Sequence, residues 1–253
     1  MDLTIFSIEL LLFLFFIAIV AGFLDTLAGG GGLISIPALI IAGIPPLAAL
    51  GTNKLQGSMG TATATFMLIK NKKISFLEMR PLMISAFIGG AVGTLIVQFI
   101  DTQILSFIIP VVLLFIAVYF LISPTPKAEQ APARLSQKKY KNRVVSSIGF
   151  YDGMFGPGTG SFFALAGVYY RGHNLISSTA IAKPMNFASN IASLIVFLFA
   201  GHIVWLVGLL MMLGQFIGAW LGAHCLFKIN PSYLRIIVVI MSTSMLIKYL
   251  MVM

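Results

Sequence analysis

The sequence predicts an all-α, polytopic helical membrane protein with two inverted-topology repeats and glycine-broken helical hairpins. Hydrophobic residues make up 59% of the 253 residues and charged residues only 9%, whereas soluble domains average about 45–50% and about 25%. The apolar runs are continuous, which favours membrane helices over alternating barrel strands. In addition, one motif containing glycine, an acid and a lysine occurs twice, which predicts an internal duplication.

The first copy of this motif lies in Gly22–Ser58 and the second in Gly149–Asn186. Both copies are apolar enough for a membrane, yet a plain anchor needs neither their charges nor their glycines. The matched positions are Asp25 with Asp152, Gly29 to Gly32 with Gly156, Gly158 and Gly160, and Lys54 with Lys183.

The apolar runs of residues 1–122 define the first predicted membrane repeat. The run 33–44 is shorter than the about 20 residues that a span needs, so we predict a hairpin broken at the glycines. The runs are 5–28, 33–44, 47–69, 82–100 and 104–122.

Residues 123–143 form a predicted basic cytoplasmic linker, since they are rich in proline, lysine and arginine and poor in apolar residues. The second membrane repeat then occupies residues 144–253. Its runs are 144–170, broken at Gly156–Gly160, then 175–200, 203–227 and 234–250. The ladder Ser85, Gly89, Gly93 recurs as Gly214, Gly218, Gly222 with the spacing that relates Lys54 to Lys183, which supports the register.

Basic residues predict the orientation. If both broken segments turn back as hairpins, the second repeat enters inverted, and every basic residue outside the membrane except Lys248 falls on one side. Plain crossings would instead put Arg171, Lys228 and Arg235 on the opposite face. The positive-inside rule therefore predicts both termini outside the cytoplasm, and it explains the net charge of +9 without a nucleic acid partner.

Four ionisable residues lie at predicted membrane depth: Asp25, Lys54, Asp152 and Lys183. Such residues normally face a cavity or a partner. One interpretation is two buried ion pairs that only fix packing; the other is a hydrated anion site charged by the lysines. The polar neighbours Asn53, Gln56 and Asn186 favour the second, since a dehydrated oxyanion needs several donors.

The glycines allow backbone breaks, which membranes tolerate only where they are buried or line a cavity. A helix that restarts after a break presents free N–H groups to an anion, although a kinked helix in close packing is the alternative. The predicted substrate-binding residues are Lys54, Lys183, Asn53, Gln56, Asn186, Gly31, Gly32, Gly158 and Gly160.

Asp25 and Asp152 precede the two breaks, where they could carry protons or cap the backbone. The single cysteine, Cys225, and scattered histidines predict no metal site. Catalytic motifs are absent from the sequence, so we expect no catalytic residues, no cofactor and no enzymatic activity.

The two motif copies, GFLDTLAGGGGLISIPAL and GFYDGMFGPGTGSFFALA with TAIAKPMN, resemble the TauE/SafE family of bacterial membrane transporters, especially its YfcA-like branch. The resemblance covers nearly the whole chain. It implies a multi-span permease of about eight helices; some members export sulfite or sulfonates. Pro184 departs from the aliphatic residue usual after the lysine, which predicts a helix end or kink there.

Together these features predict an inner-membrane transporter, an exporter of a small anion such as a sulfonate or sulfite, coupled to protons. Alternating access would rock the span 82–100 against 203–227 on their glycine faces. A passive anion channel and a non-transporting scaffold remain alternatives. The expected partners are the anion and the lipid bilayer, and association into a homodimer is left open.

Overall fold

The computed structural model describes residues 6–122 and 131–228, together with 240, 243, 244 and 247, and its regular elements are helices. The all-α fold class is confirmed. The predicted span 234–250 lies mostly outside the described residues, as do Lys127, Arg235 and Lys248. The elements are α1 (Ile8–Ala28), α2 (Gly32–Ile41), α3 (Pro46–Lys70), α4 (Phe76–Val97), α5 (Thr102–Ile122), α6 (Gln137–Lys139), a π-helical segment (Tyr140–Val145), α7 (Ser146–Met154), α8 (Thr159–Arg171), α9 (Leu175–Ala200) and α10 (Trp205–Cys225).

Within the described ranges, α1, α4, α9 and α10 are long and apolar enough to cross a membrane. Large apolar side chains such as Phe16, Phe87 and Phe216 are exposed on their outer faces, as expected where lipid replaces water. By contrast, α3 spans 25 residues but is more polar. Because its Lys54 and Gln56 are buried, α3 runs through the protein interior.

Helix bounds follow the apolar runs closely, and two differences bear on the site. Helix α9 continues through Pro184, so of the two expectations for this proline the helix end is wrong and the kink stays a prediction. Proline is tolerated inside membrane helices because neighbouring groups compensate for the lost hydrogen bond. The second difference is that helical structure begins at Gln137, inside the predicted linker, and leads through the π-helical segment into α7.

The hydrophobic residues form two main cores, each built mostly from one half of the chain. The first core joins α1, α2, α3 and α5 with α10, through residues such as Leu14, Ile36 and Met211. The second joins α7, α8 and α9 with α4, through residues such as Phe163 and Met185. The first core thus takes α10, and Phe197 at the end of α9, from the second half, and the second core takes α4 from the first half. This exchange fits two copies related by a two-fold axis; their inverted orientation stays a prediction.

The glycine ladders show which helices from opposite halves of the chain pack closely against each other. A Cβ at Gly218 would overlap the Ile19 carbonyl on α1, and one at Gly93 would overlap the Phe150 carbonyl on α7. Small residues occur where helix backbones approach closely, so the close pairs are α10 with α1 and α4 with α7. The expectation that α4 and α10 slide on each other's glycine faces is therefore wrong.

Candidate functional site

The two helix breaks touch each other between the two cores. Gly29 ends α1 in a left-handed conformation with φ 77°, and α2 starts at Gly32. Gly156 and Gly158, with φ of 93° and 75°, separate α7 from α8. A Cβ on Gly29 would overlap the backbone of Gly160, and the Ser161 hydroxyl donates to the Ala28 carbonyl. The breaks therefore cross in backbone contact.

We expect Gly29→Ala to destabilise the fold strongly, because its Cβ would strain the left-handed backbone and collide with the second break. Gly43→Ala is the matched control, since Gly43 has φ 81° and, apart from its chain neighbours, no described residue has an atom within 4 Å of its would-be Cβ. The control should lose only the about 1–2 kcal/mol of backbone strain. Thermal unfolding in detergent measures both variants, and equal losses would contradict a packed crossing.

Each lysine reaches the break of the opposite half, and the two lysines bind differently. Lys54 Nζ lies 2.8 Å from Asp152 Oδ1, and both side chains are 2% exposed. Lys183 Nζ instead donates to the main-chain carbonyl of Asp25. The Asp25 carboxylate accepts the N–H of Gly31 at 3.2 Å. The second break thus contains a buried ion pair. At the first break, the side chains of Asp25 and Lys183 instead form hydrogen bonds with main-chain groups.

A polar pocket lies where the breaks meet, and both halves of the chain line it. Six predicted residues are in the lining, namely Asp25, Asp152, Asn53, Asn186, Gly31 and Gly32. Lys54 and Lys183 are buried and are not in this lining, and their role as substrate-binding residues stays a prediction. Gln56 is outside the lining and donates a hydrogen bond to Asn53. Gly158 has a left-handed conformation between α7 and α8, and Gly160 contacts Gly29 where the two breaks cross.

Two carboxamides of the pocket, Asn53 and Asn186, have their oxygen atoms engaged within the protein. Asn53 Oδ1 lies 2.6 Å from the Ser35 hydroxyl and accepts from Gln56 Nε2 at 3.1 Å. Asn186 Oδ1 accepts from Asn190 Nδ2 at 3.1 Å. An amide whose oxygen is engaged offers its NH₂ group to a ligand. Asn53 and Asn186 can therefore donate hydrogen bonds to an acceptor.

The backbone and the buried lysines add positive potential. Gly31 and Gly32 place the N-terminal end of α2 in the lining, and such an end favours negative charge. A Cβ on Gly156, which also lines the pocket, would lie 3.2 Å from Lys54 Nζ, so the ammonium lies directly behind that glycine. The carboxylates of Asp25 and Asp152 oppose this potential and balance the two lysines.

Five lining residues were not among the predicted site residues, and each carried a detectable signal. Gly156 belongs to the second glycine motif. Spacings of four put Gly57 and Thr61 on the Asn53 face of α3, and Asn190 on the Asn186 face of α9. Gln215 is a carboxamide within the apolar helix α10, which itself suggests a functional position. Gly22 and Gly60 leave room for it, since a Cβ on either would press on the Gln215 amide oxygen.

The model of the sulfite exporter TauE/SafE family matches residues 14–249. The chain belongs to the TauE/SafE family. A probable membrane transporter protein of Haemophilus influenzae is 44% identical over 242 residues, covering 96% of this chain and 95% of the relative. The probable membrane transporter protein YfcA of Escherichia coli K12 is 40% identical over 237 residues, covering 94% and 88%.

The resemblance seen in the two motif copies is thereby confirmed for the TauE/SafE family and for YfcA-like relatives. No solved structure matches the chain. Family membership, the names of the relatives and the apolar helices together indicate a membrane transporter.

Proposed function

We propose that the protein exports a small anion, such as a sulfonate, sulfite or a related organic anion, across the bacterial inner membrane. Transport proceeds by alternating access and is coupled to protons through the aspartates of the two breaks. The observation that carries this proposal is the pair of asparagines, Asn53 and Asn186, whose oxygens are engaged and whose NH₂ groups remain for a ligand.

The arrangement of donors favours an oxyanion over a cation. A sulfonate or sulfite presents three acceptor oxygens, which need donors once water is removed. The two NH₂ groups suit that need, and the start of α2 and the buried lysines add positive potential. The family's description as sulfite exporters supports the same class of cargo.

The location of the pocket favours alternating access. Its lining draws on α3 from the first core and on α9 from the second. A site between two hydrophobic cores can open to either side when one core moves against the other. The moving units in this proposal are the two cores, each including its exchanged helix.

Flux through purified protein in liposomes tests the proposal against a passive channel. We expect methanesulfonate or sulfite to accumulate against its gradient when a proton gradient is imposed, because coupled carriers convert one gradient into the other. Dissipating the proton gradient with an ionophore should abolish the accumulation. Flux that only runs downhill would support the channel, and no flux with any small anion would support the scaffold.

A further inference from the structure

The two aspartates of the pocket make different bonds. Asp25 is half-buried and its carboxylate accepts the Gly31 N–H, which fixes the turn between α1 and α2. Asp152 is 1% exposed and pairs through Oδ1 with Lys54. Its other oxygen, Oδ2, has no hydrogen-bond partner among the described residues, although Asp152 lines the pocket. The Asp25 carboxylate thus stabilises the turn between α1 and α2, whereas the Asp152 carboxylate has one oxygen available for a hydrogen bond at the site.

An unpartnered buried carboxylate oxygen is costly to leave unsatisfied. A ligand donor or a proton would satisfy it. An ionised sulfonate group has no donor to offer, and it would be repelled by the ionised Asp152 while Lys54 stays neutralised. A proton on Asp152 removes both obstacles, because the carboxyl group becomes neutral and can donate to the anion.

We propose that each anion binds together with one proton on Asp152 and replaces Asp152 as the counter-ion of Lys54. This inference rests on the proposed function and names the group that couples it. In the step, the carboxylate of Asp152 takes up a proton to become a carboxylic acid, and no other bond forms or breaks. The charge of the pocket then stays the same for a monoanion, so one anion and one proton cross together without net charge.

The charged groups near Asp152 are consistent with this assignment. Lys54 on α3 contacts it directly, and Lys183 on α9 is bound to the Asp25 main chain. Helix α4 faces this part of α7 with small residues, of which Thr94 donates to the Gly153 carbonyl. Tyr151 is adjacent in sequence, and its hydroxyl is engaged with the Pro157 carbonyl at 2.8 Å. Asp25 on α1 is the other carboxylate in the lining, and an asparagine there could keep its bond to Gly31.

Proton uptake on binding tests the inference directly. Methanesulfonate is the probe, because it is the anion of a strong acid and stays ionised, so any proton taken up goes to the protein. A pH indicator in weakly buffered detergent solution counts the protons. We expect about one proton per bound anion in the unaltered protein, about one in the control Glu78→Gln, whose carboxylate is exposed and outside the pocket lining, and none in Asp152→Asn.

The pH dependence of the anion affinity is a second test, which uses only the unaltered protein and therefore remains valid if Asp152→Asn does not fold. Because binding takes up a proton, the affinity of the unaltered protein should rise as pH falls, by up to about tenfold per pH unit. Binding without proton uptake, uptake that persists in Asp152→Asn, or a flat pH profile would overturn the inference and leave the proposed function standing. If neither methanesulfonate nor sulfite stabilises the protein thermally, the proposed function fails and this inference fails with it.

Discussion

Replacing Lys54 with methionine is expected to lower the free energy of unfolding by about 3–5 kcal/mol and to abolish anion flux. Methionine fills a similar volume but leaves the Asp152 carboxylate without its ammonium partner 2.8 Å away. An uncompensated buried carboxylate is costly, whereas a buried pair replaced as a whole often is not. Thermal unfolding in detergent and flux in liposomes measure the two effects separately.

The double variant Lys54→Met with Asp152→Leu separates packing from function. It removes both charges, so most of the lost stability should return, while flux should stay absent because the Lys54 ammonium beside Gly156 is missing. Recovery of flux together with stability would instead favour the ion pair as a purely structural element. Lys183→Met is the matched control for stability. Because Lys183 bonds to a main-chain carbonyl rather than to a carboxylate, its loss should destabilise less.

Much of the fold could be predicted because the relevant information is local. An unbroken apolar run predicted a helix from Leu175 to Ala200, and α9 has these bounds. The glycine runs predicted both helix breaks, since positive φ at Gly29 and Gly158 is accessible mainly to glycine. Predicting α1, α2 and α3 in order likewise needed only periodicity and span length.

The pairing of helices could not be predicted, because it depends on contacts between distant segments. Glycine spacing showed that α4 and α10 each have a face for close packing, but it did not name the partner. In the structure those partners are α7 and α1. The same limit explains why sequence reasoning placed the lysines in the pocket, whereas Lys54 reaches Asp152 and lies behind Gly156.

The candidate site was only partly predictable for a related reason. The motif singled out Asn53 and Asn186 as polar groups near a lysine, and both are in the lining. The motif could not show that their oxygens are engaged, since that depends on Gln56 and Asn190 one helical turn away. The difference between Asp25 and Asp152 was equally hidden, because the two motif copies are equivalent in sequence but not in their bonds.

Changing both Asn53 and Asn186 to aspartate is expected to weaken anion binding by about a hundredfold or more. Aspartate has the same shape, and its oxygen can still accept the internal bonds from Gln56 and Asn190. Its second oxygen, however, replaces the NH₂ donor with a negative acceptor. Asn142→Asp, at an exposed position of the π-helical segment, controls for the added negative charge.

The dissociation constant of methanesulfonate tests most directly whether the pocket between the two breaks is the anion site. It should be measured for the unaltered protein, for Asn142→Asp and for the double aspartate variant, each first shown to unfold cooperatively. We expect the first two proteins to bind alike and the double variant to show no measurable binding. A double variant that binds the anion as tightly as the unaltered protein would contradict the assignment of the site.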